Sequence, residues 1–250
     1  GGGEDSTSGS APSTSGPSSS TSTVPKLEGP VTVLAAASLT EAFTELGTTF
    51  ETDHPGTKLS FSFGASSTLA QQAIEGAPGD LLFTADEANM KKAIDAGVAS
   101  DPKVFARNRL ALLVAKGNPG KVETVADLAE PGVVFVLCAA TVPCGKYGAE
   151  ALAKAGVSAK PKSLEENVKG VVSKVSLGEA DAGIVYVTDA KAAGDKAIGV
   201  EIADEHNVVA IYPLAALKDS ANVATAKAFA DFVLSSAGQA ILAKYGFLAP

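Results

Sequence analysis

The sequence lacks most of the features that would point to a particular chemistry. Its 250 residues include no tryptophan, one methionine, two histidines and two cysteines. Neither His54 nor His206 shares a metal-ligand spacing with the other or with a cysteine, so we expect no metal site. There is also no P-loop, no G-x-G-x-x-G and no G-x-S-x-G elbow. We therefore expect a protein that is not an enzyme and that uses no cofactor.

Long apolar runs and excess positive charge are also missing. No apolar run approaches the roughly eighteen residues that a membrane-spanning helix needs. The formal net charge of −8 argues against nucleic acid and anionic membranes as partners. Since that charge cannot attract an anionic ligand over a distance, local dipoles would have to hold one. The length suffices for one large domain or two modest ones.

The first part of the chain differs in composition from the rest. Of residues 1–25, 21 are Ser, Thr, Gly or Pro. Such a segment cannot bury enough apolar surface to offset the entropy of ordering it, so we expect residues 1–28 to form a disordered tether. We expect an exported protein, periplasmic or at the cell surface, anchored by a lipid on a residue preceding Gly1. An ordinary disordered tail is the alternative.

From residue 30 onward, apolar strand patterns alternate with helical patterns. Predicted strands are 31–36, 58–63, 80–84, 109–115, 132–138, 182–187 and 207–217. Predicted helices are 39–53, 67–76, 86–97, 145–156, 167–179, 221–236 and 238–245. This alternation predicts an α/β fold with largely parallel sheets.

Two strand-to-helix junctions in the first half of the chain bring a serine to a helix start. In VTVLAAASLTEAF, Ser38 stands at an N-cap position and Glu41 follows three residues later, as in a capping box. In FSFGASSTLAQQ, a Gly-Ala-Ser-Ser turn leads into a helix from about Ser66. Taken singly, each serine is better explained as a helix cap than as a ligand group.

Three further features lie in the second half of the chain. VLCAATVPCGKYG places Pro143 in the first turn of a helix, a position that proline favours. KSLEENVKG opens a helix near Val168, and Ser163 with Glu166 offers a competing capping box. GIVYVTDA places Tyr186 near the end of a buried strand, where packing in the core is the simpler explanation.

Together, the four strand-to-helix junctions indicate more than capping. In open α/β sheets, ligands lie beyond the carboxyl ends of the strands. Helix N-termini there offer unpaired N–H groups and a partial positive charge, which suit an oxyanion. Because no junction has a carboxylate at its apex, the cage would be neutral and would favour a fully deprotonated ligand.

The two cysteines, Cys138 and Cys144, have five residues between them. In a cytosolic protein they would be free thiols, whereas an exported tether favours a disulfide that closes this short loop. A redox-active dithiol is a further alternative, although the spacing is not that of Cys-x-x-Cys.

The junction motifs, with GAPGDLLFTAD and the closing AFADFVLSSAGQAILAKYGF, resemble the periplasmic molybdate-binding proteins of ABC importers. The resemblance runs from about residue 30 to the last residues, in order. It implies a two-lobed Venus-flytrap fold of mixed, mostly parallel sheets flanked by helices. Lobe I would comprise residues 29–110 and 209–250, and lobe II residues 111–208.

The resemblance also implies a ligand and a set of binding residues. The protein would bind molybdate, and tungstate, and deliver it to an ABC permease in the membrane; we expect a monomer. The implied ligands are the hydroxyls of Ser38, Ser66 and Tyr186 and the backbone N–H groups of Cys144 and Val168. Ser67 would replace Ser66 as a ligand if the register slips by one.

The resemblance leaves other functions open. Family members often have a small residue such as alanine where this chain has Cys144, and a disulfide there would bear on the geometry of the loop. Another tetrahedral oxyanion such as sulfate remains an alternative ligand. An exported thiol-redox enzyme that uses Cys138 and Cys144 is an alternative from a different class, and a structural surface domain on a stalk is a third.

Overall fold

The computed structural model describes residues 1–3 and 26–250, so most of the expected tether, residues 1–28, lies outside the described residues. Within these residues the strands are β1 (Gly29–Ala36), β2 (Thr57–Gly64), β3 (Leu81–Phe83), β4 (Ala99–Ala115), β5 (Phe135–Cys138), β6 (Ser163–Glu165), β7 (Ala182–Tyr186), β8 (Ala197–Glu201) and β9 (Val209–Leu217). The α-helices are α1 (Thr40–Asp53), α2 (Ser66–Ile74), α3 (Glu87–Asp95), α4 (Pro143–Lys154), α5 (Val168–Ser176), α6 (Val187–Ala193), α7 (Val223–Leu234) and α8 (Ser236–Tyr245). Three short 3-10 turns cover Ala37–Leu39, Val125–Ala129 and Gly194–Lys196.

The strands form two sheets that share β4. Along the hydrogen-bonded path the order is β2-β1-β3-β9-β4-β7-β5-β6, and β8 also pairs with β4. Residues 99–109 of β4 pair with β9, whereas residues 110–115 pair with β7 and β8. We call β1, β2, β3 and β9 the first sheet, and β5 to β8 the second sheet. The expected α/β fold class is confirmed.

The pairing directions differ in balance from the expected mostly parallel sheets. The parallel pairs are β1 with β2 and β3, and β5 with β6 and β7. Every antiparallel pair within the described residues includes β4 or β9. These two strands carry the chain between the sheets, and they run against their neighbours on both sides.

The predicted elements are present, with differences at particular boundaries. Strand β4 begins at Ala99, whereas the prediction began at residue 109. Its charged first half was missed because it lacks the apolar run that marks its second half. Strand β6, strand β8 and helix α6 were not predicted. The competing capping box at Ser163 is wrong: Ser163 lies in β6, and α5 begins at Val168 with Asn167 as its N-cap.

An aromatic cluster fixes α1 on the first sheet. Phe43 of α1 packs edge-to-face on Phe83 of β3, with ring centroids 4.8 Å apart. Phe105 of β4 packs on the same Phe83 ring at 5.2 Å, and Phe229 of α7 packs on Phe43 at 6.3 Å. Such pairs contribute about 0.5–1.5 kcal/mol each beyond the area that they bury. The cluster therefore holds the start of α1 firmly beyond the end of β1.

Among the described residues, no helix combines the length and the apolar character needed to cross a membrane.

Candidate functional site

A small cavity lies where strand ends and helix starts from both sheets meet. The cavity has a volume of about 20 Å³. Since one water molecule needs about 10–15 Å³, the cavity admits a ligand of only a few atoms. Its walls are Ala36–Ser38 at the end of β1, Gly64–Ser66 at the end of β2, Ala85 after β3, Val142–Cys144 at the start of α4, Asn167–Val168 at the start of α5, and Tyr186 at the end of β7.

The cavity brings together all of the residues proposed from the sequence as oxyanion ligands. These residues are Ser38, Ser66, Cys144, Val168 and Tyr186. Ser67 is not among the lining residues, which favours the Ser66 register. No residue of the lining carries a charged side chain, and the described residues contain no cluster of three His, Cys, Asp or Glu placed to hold a metal ion.

Ser38 is held by a tyrosine rather than acting as a helix cap. The 3-10 turn Ala37–Leu39 separates β1 from α1, so the helix begins at Thr40 and no side chain caps it. The predicted capping box of Ser38 and Glu41 is therefore wrong. The Ser38 Oγ is buried and lies 2.9 Å from the Oη of Tyr212, which is on β9.

Glu41 of α1 instead forms an ion pair with Lys169 of α5, which links a helix of the first sheet to a helix of the second sheet. Its carboxylate accepts hydrogen bonds from Lys169 Nζ at 2.7 and 2.8 Å, and the same ammonium lies 3.0 Å from Asp189 Oδ1. Burial raises the pKa of Asp189, which is fully buried. Burial alone would lower the pKa of Lys169, but the two carboxylates outweigh it and the pKa is raised. The ammonium is thus neutralised by Glu41 and Asp189 and does not line the cavity.

Ser66 is the first residue of α2, and its hydroxyl oxygen is hydrogen-bonded within the protein. Its Oγ accepts a hydrogen bond from the backbone N–H of Ala85 at 2.9 Å. The N-cap residue of α2 is Ala65, which supplies no side-chain cap. Ser66 thus presents a buried hydroxyl to the cavity beside the uncapped start of its helix.

The starts of α4 and α5 supply backbone donors. The first N–H groups of a helix have no partner within the helix, and together they carry a partial positive charge. Val142 is the N-cap residue of α4 and supplies no side-chain cap, so the N–H of Cys144 is left for another acceptor. In α5 the Asn167 side chain caps the N–H of Lys169 rather than that of Val168.

Tyr186 brings a buried hydroxyl that has no partner within the described residues. The side chain ends β7 at 1% exposure, and its Oη makes no hydrogen bond there. Burial raises the pKa of Tyr186 well above its usual value of 10, and the surrounding tyrosines and carboxylates act in the same direction. The phenol therefore remains a proton donor at neutral pH. A buried polar atom without a partner is costly, which indicates that a ligand belongs beside it.

The expected disulfide is confirmed. Cys138, the last residue of β5, is bonded to Cys144 in the first turn of α4, with the two Cα atoms 5.7 Å apart. The loop turns so tightly that a Cβ at Gly145 would collide with the carbonyl oxygen of Ala139. The bridge and this glycine together fix the backbone that carries the Cys144 N–H.

Sequence reasoning missed the residues behind the cavity wall. Tyr212 and Asn108 are fully buried, and they lie on β9 and β4 where the two sheets meet. Tyr212 was included in a predicted strand, but its place in an apolar run is typical of a core residue. No local pattern distinguishes it from one, because its partner Ser38 is 174 residues away.

Two sheets that share a strand, with a cavity between them, define the architecture of periplasmic binding proteins, and solved structures of that class share the fold. The substrate-binding domain of a putative molybdenum ABC transporter from Clostridium difficile is 31% identical, with a TM-score of 0.67, and the match covers 88% of this chain and 99% of that one. The sulfate-binding protein SubI of Mycobacterium tuberculosis is 21% identical, with a TM-score of 0.79 and coverage of 88% and 86%.

The chain belongs to the family of bacterial extracellular solute-binding proteins, whose model matches residues 31–248. Among curated proteins, the molybdate-binding protein ModA of Mycobacterium tuberculosis is 39% identical over 221 residues, which are 88% of this chain and 85% of that protein. The expected two-lobed binding-protein fold and the resemblance to molybdate-binding proteins are therefore confirmed. The family is defined by binding solutes outside the cytoplasm, in agreement with the expected export.

Proposed function

We propose that this protein captures molybdate outside the cytoplasm and presents it to an ABC permease in the membrane. The observation that carries the proposal is the small cavity lined by hydroxyls and helix N-termini and by no charged side chain. The hydroxyl of Tyr186, which has no partner among the described residues, supports a ligand in the same place. Two relatives at 39% and 31% identity, named for molybdate and molybdenum, support this choice of ligand.

The chemistry of the proposed ligands fits a proton-free dianion. Molybdate is fully deprotonated at neutral pH, so each of its oxygens accepts hydrogen bonds and none donates. Burying such an ion is costly unless its oxygens are well hydrogen-bonded. We assign this task to the hydroxyls of Ser38, Ser66 and Tyr186 and to the N–H groups of Cys144 and Val168. A hydrogen bond to a charged group contributes about 1.5–3 kcal/mol.

Selection among tetrahedral dianions would depend on the size of the cavity. Tungstate matches molybdate in charge and shape and nearly in size, so we expect the same cage to bind it. Sulfate has the same charge and shape but is smaller, and a sulfate-binding protein shares this fold at 21% identity. The fold alone therefore does not choose the ion.

Titration calorimetry with molybdate, tungstate, sulfate and hydrogen phosphate tests the assignment. We expect tight binding of molybdate and tungstate, weaker binding of sulfate, and the weakest binding of hydrogen phosphate, whose proton would find no acceptor. A preference for sulfate over molybdate would overturn the proposal. An absence of binding to all four ions would favour a structural domain.

We also propose that the two lobes, residues 29–110 with 209–250 and residues 111–208, close on the ion by a hinge motion. The change of partner along β4, from β9 up to Arg109 to β7 and β8 from Leu110 onward, falls within one residue of the proposed boundary and supports it. Small-angle X-ray scattering with and without molybdate tests this proposal, because closure should reduce the radius of gyration. An unchanged radius on saturation would contradict it.

Finally, we propose that a lipid on a residue preceding Gly1 holds the protein at the cell surface, with the Ser/Thr-rich segment as a spacer. The composition of residues 1–25 supports this proposal. Mass spectrometry of the native protein tests it, and an amino terminus without a lipid would contradict it.

A further inference from the structure

The contact between Ser38 and Tyr212 raises the question of which hydroxyl donates. Their oxygens are 2.9 Å apart, both residues are buried, and either one could supply the proton. The answer matters because Ser38 lines the cavity. If Ser38 donates to Tyr212, its proton is unavailable to a bound ion. If Tyr212 donates, the Ser38 proton is left for the ion.

The side chain of Asn108 decides the direction. The backbone N–H of Arg109, which can only donate, lies 3.0 Å from Asn108 Oδ1 and so fixes the orientation of the amide. The amide nitrogen then faces Thr188 Oγ1 at 2.9 Å and Tyr212 Oη at 3.4 Å. Since that nitrogen has only protons to offer, Tyr212 Oη accepts from it.

The proton of Tyr212 is therefore directed to its remaining partner. The acceptor within reach among the described residues is Ser38 Oγ. Burial raises the pKa of Tyr212 above its usual value, so the phenol keeps its proton. Ser38 accepts this hydrogen bond, and its own proton is left to point into the cavity. Ser66 Oγ likewise accepts a hydrogen bond from the N–H of Ala85, so the Ser66 proton is also left for the cavity.

We propose that Tyr212 and Asn108 are positioning residues that fix Ser38 as a hydrogen-bond donor to the bound anion. The inference rests on the proposed function, since it concerns how the same cavity treats its ion. It assigns to two residues behind the cavity wall a part in the expected discrimination against protonated ions. An oxyanion that keeps a proton needs an acceptor, whereas Ser38, with one lone pair occupied by Tyr212, turns its own proton toward the cavity. The network should therefore favour molybdate over protonated ions such as hydrogen arsenate.

The test compares Tyr212→Phe with the parent, using molybdate and arsenate as probes in calorimetry at neutral pH. Without the phenol, the Ser38 hydroxyl is free to turn. We expect the affinity for molybdate to fall about tenfold, and the affinity for arsenate to fall less or to rise. The matched control is Tyr245→Phe, which removes a tyrosine hydroxyl bonded to Glu45 outside the cavity. It should leave both affinities unchanged.

A double substitution separates positioning from a merely structural role. If Tyr212 acts through Ser38, then Tyr212→Phe should cost no further affinity for molybdate in the Ser38→Ala background. Equal losses for both ions, or equal losses with and without Ser38, would overturn the inference. Circular dichroism confirms that each variant is folded, and Asn108→Leu gives the same comparison should Tyr212→Phe not fold. A parent that does not bind molybdate would instead overturn the proposed function.

Discussion

The hydroxyl of Tyr186 offers a sharp test of the site, because its removal should affect binding and stability differently. The Oη atom is buried and makes no hydrogen bond to the described residues. Tyr186→Phe therefore breaks no hydrogen bond to the described residues in the ligand-free protein, and its ring still packs with its centroid 6.0 Å from that of Tyr212. A bound anion, in contrast, would lose one donor.

The size of the two effects follows from the physics of hydrogen bonds. A hydrogen bond to a charged group contributes about 1.5–3 kcal/mol, which is about ten- to one-hundred-fold in the dissociation constant. The free energy of unfolding without ligand should not fall and should rise by up to about 1–3 kcal/mol, because the substitution removes a buried polar atom that has no partner among the described residues. Tyr186→Phe should therefore bind molybdate weakly and yet unfold at the same urea concentration as the parent or at a higher one.

Calorimetry with molybdate and urea unfolding without it measure the two quantities on one preparation. Tyr245→Phe is the matched control, since its hydroxyl bonds Glu45 at 2.6 Å and lies outside the cavity. That variant should keep its affinity for molybdate. Unchanged affinity in Tyr186→Phe would refute the role of this hydroxyl. A large loss of stability in the ligand-free variant would show that the hydroxyl has a structural role instead.

Three further variants test other parts of the site. Ser38→Ala should weaken molybdate binding by about 1–3 kcal/mol in calorimetry and also lower the unfolding temperature, since it leaves its tyrosine partner without an acceptor; unchanged affinity would contradict its assignment. Lys169→Met should lower the free energy of unfolding by about 3 kcal/mol at neutral pH, because it leaves Asp189 buried without its cation. Since the pKa of Asp189 is raised, this loss of unfolding free energy should be smaller at acidic pH, where the carboxylate is protonated, and urea unfolding measures it. An equal loss at neutral and at acidic pH would refute the reasoning. Replacing Cys138 and Cys144 together by serine should cost about 2 kcal/mol of stability from the short loop but retain binding of molybdate, because the proposed ligand is a backbone N–H; loss of binding in the folded variant would contradict this.

The sequence predicted most of the elements in their order because these follow from local patterns, whereas the set of residues found around the cavity was implied by the resemblance to molybdate-binding proteins. Apolar runs followed by helical periodicity locate the strand-to-helix junctions. The carboxyl ends of parallel strands lie on one edge of a sheet, so residues far apart in sequence, such as Ser38 and Ser66, could be expected to meet. The spacing of the cysteines and the signs of export sufficed to predict the disulfide.

What the sequence could not predict depends on partners that are distant along the chain. Ser38 and Glu41 fit the local pattern of a capping box, yet Glu41 pairs with Lys169, 128 residues away. The local pattern predicts a helix cap, but in the folded protein both side chains bond to residues that are distant along the chain. The first half of β4 was missed for a related reason. It is a strand because β9 pairs with it, although its own residues carry little strand pattern.

The uncapped helix starts have a consequence for how the protein can be stabilised. Helices α2 and α4, which pack on different sheets, have Ala65 and Val142 as their N-cap residues and so lack a side-chain cap. A capping side chain at such a position typically contributes about 0.5–2 kcal/mol, so each helix forgoes that stability while the cavity is empty. A bound anion would act as one N-cap shared by both helices. Engineering a cap at Val142 with aspartate would stabilise α4 at the expense of binding, because the new carboxylate would take the place of the ion.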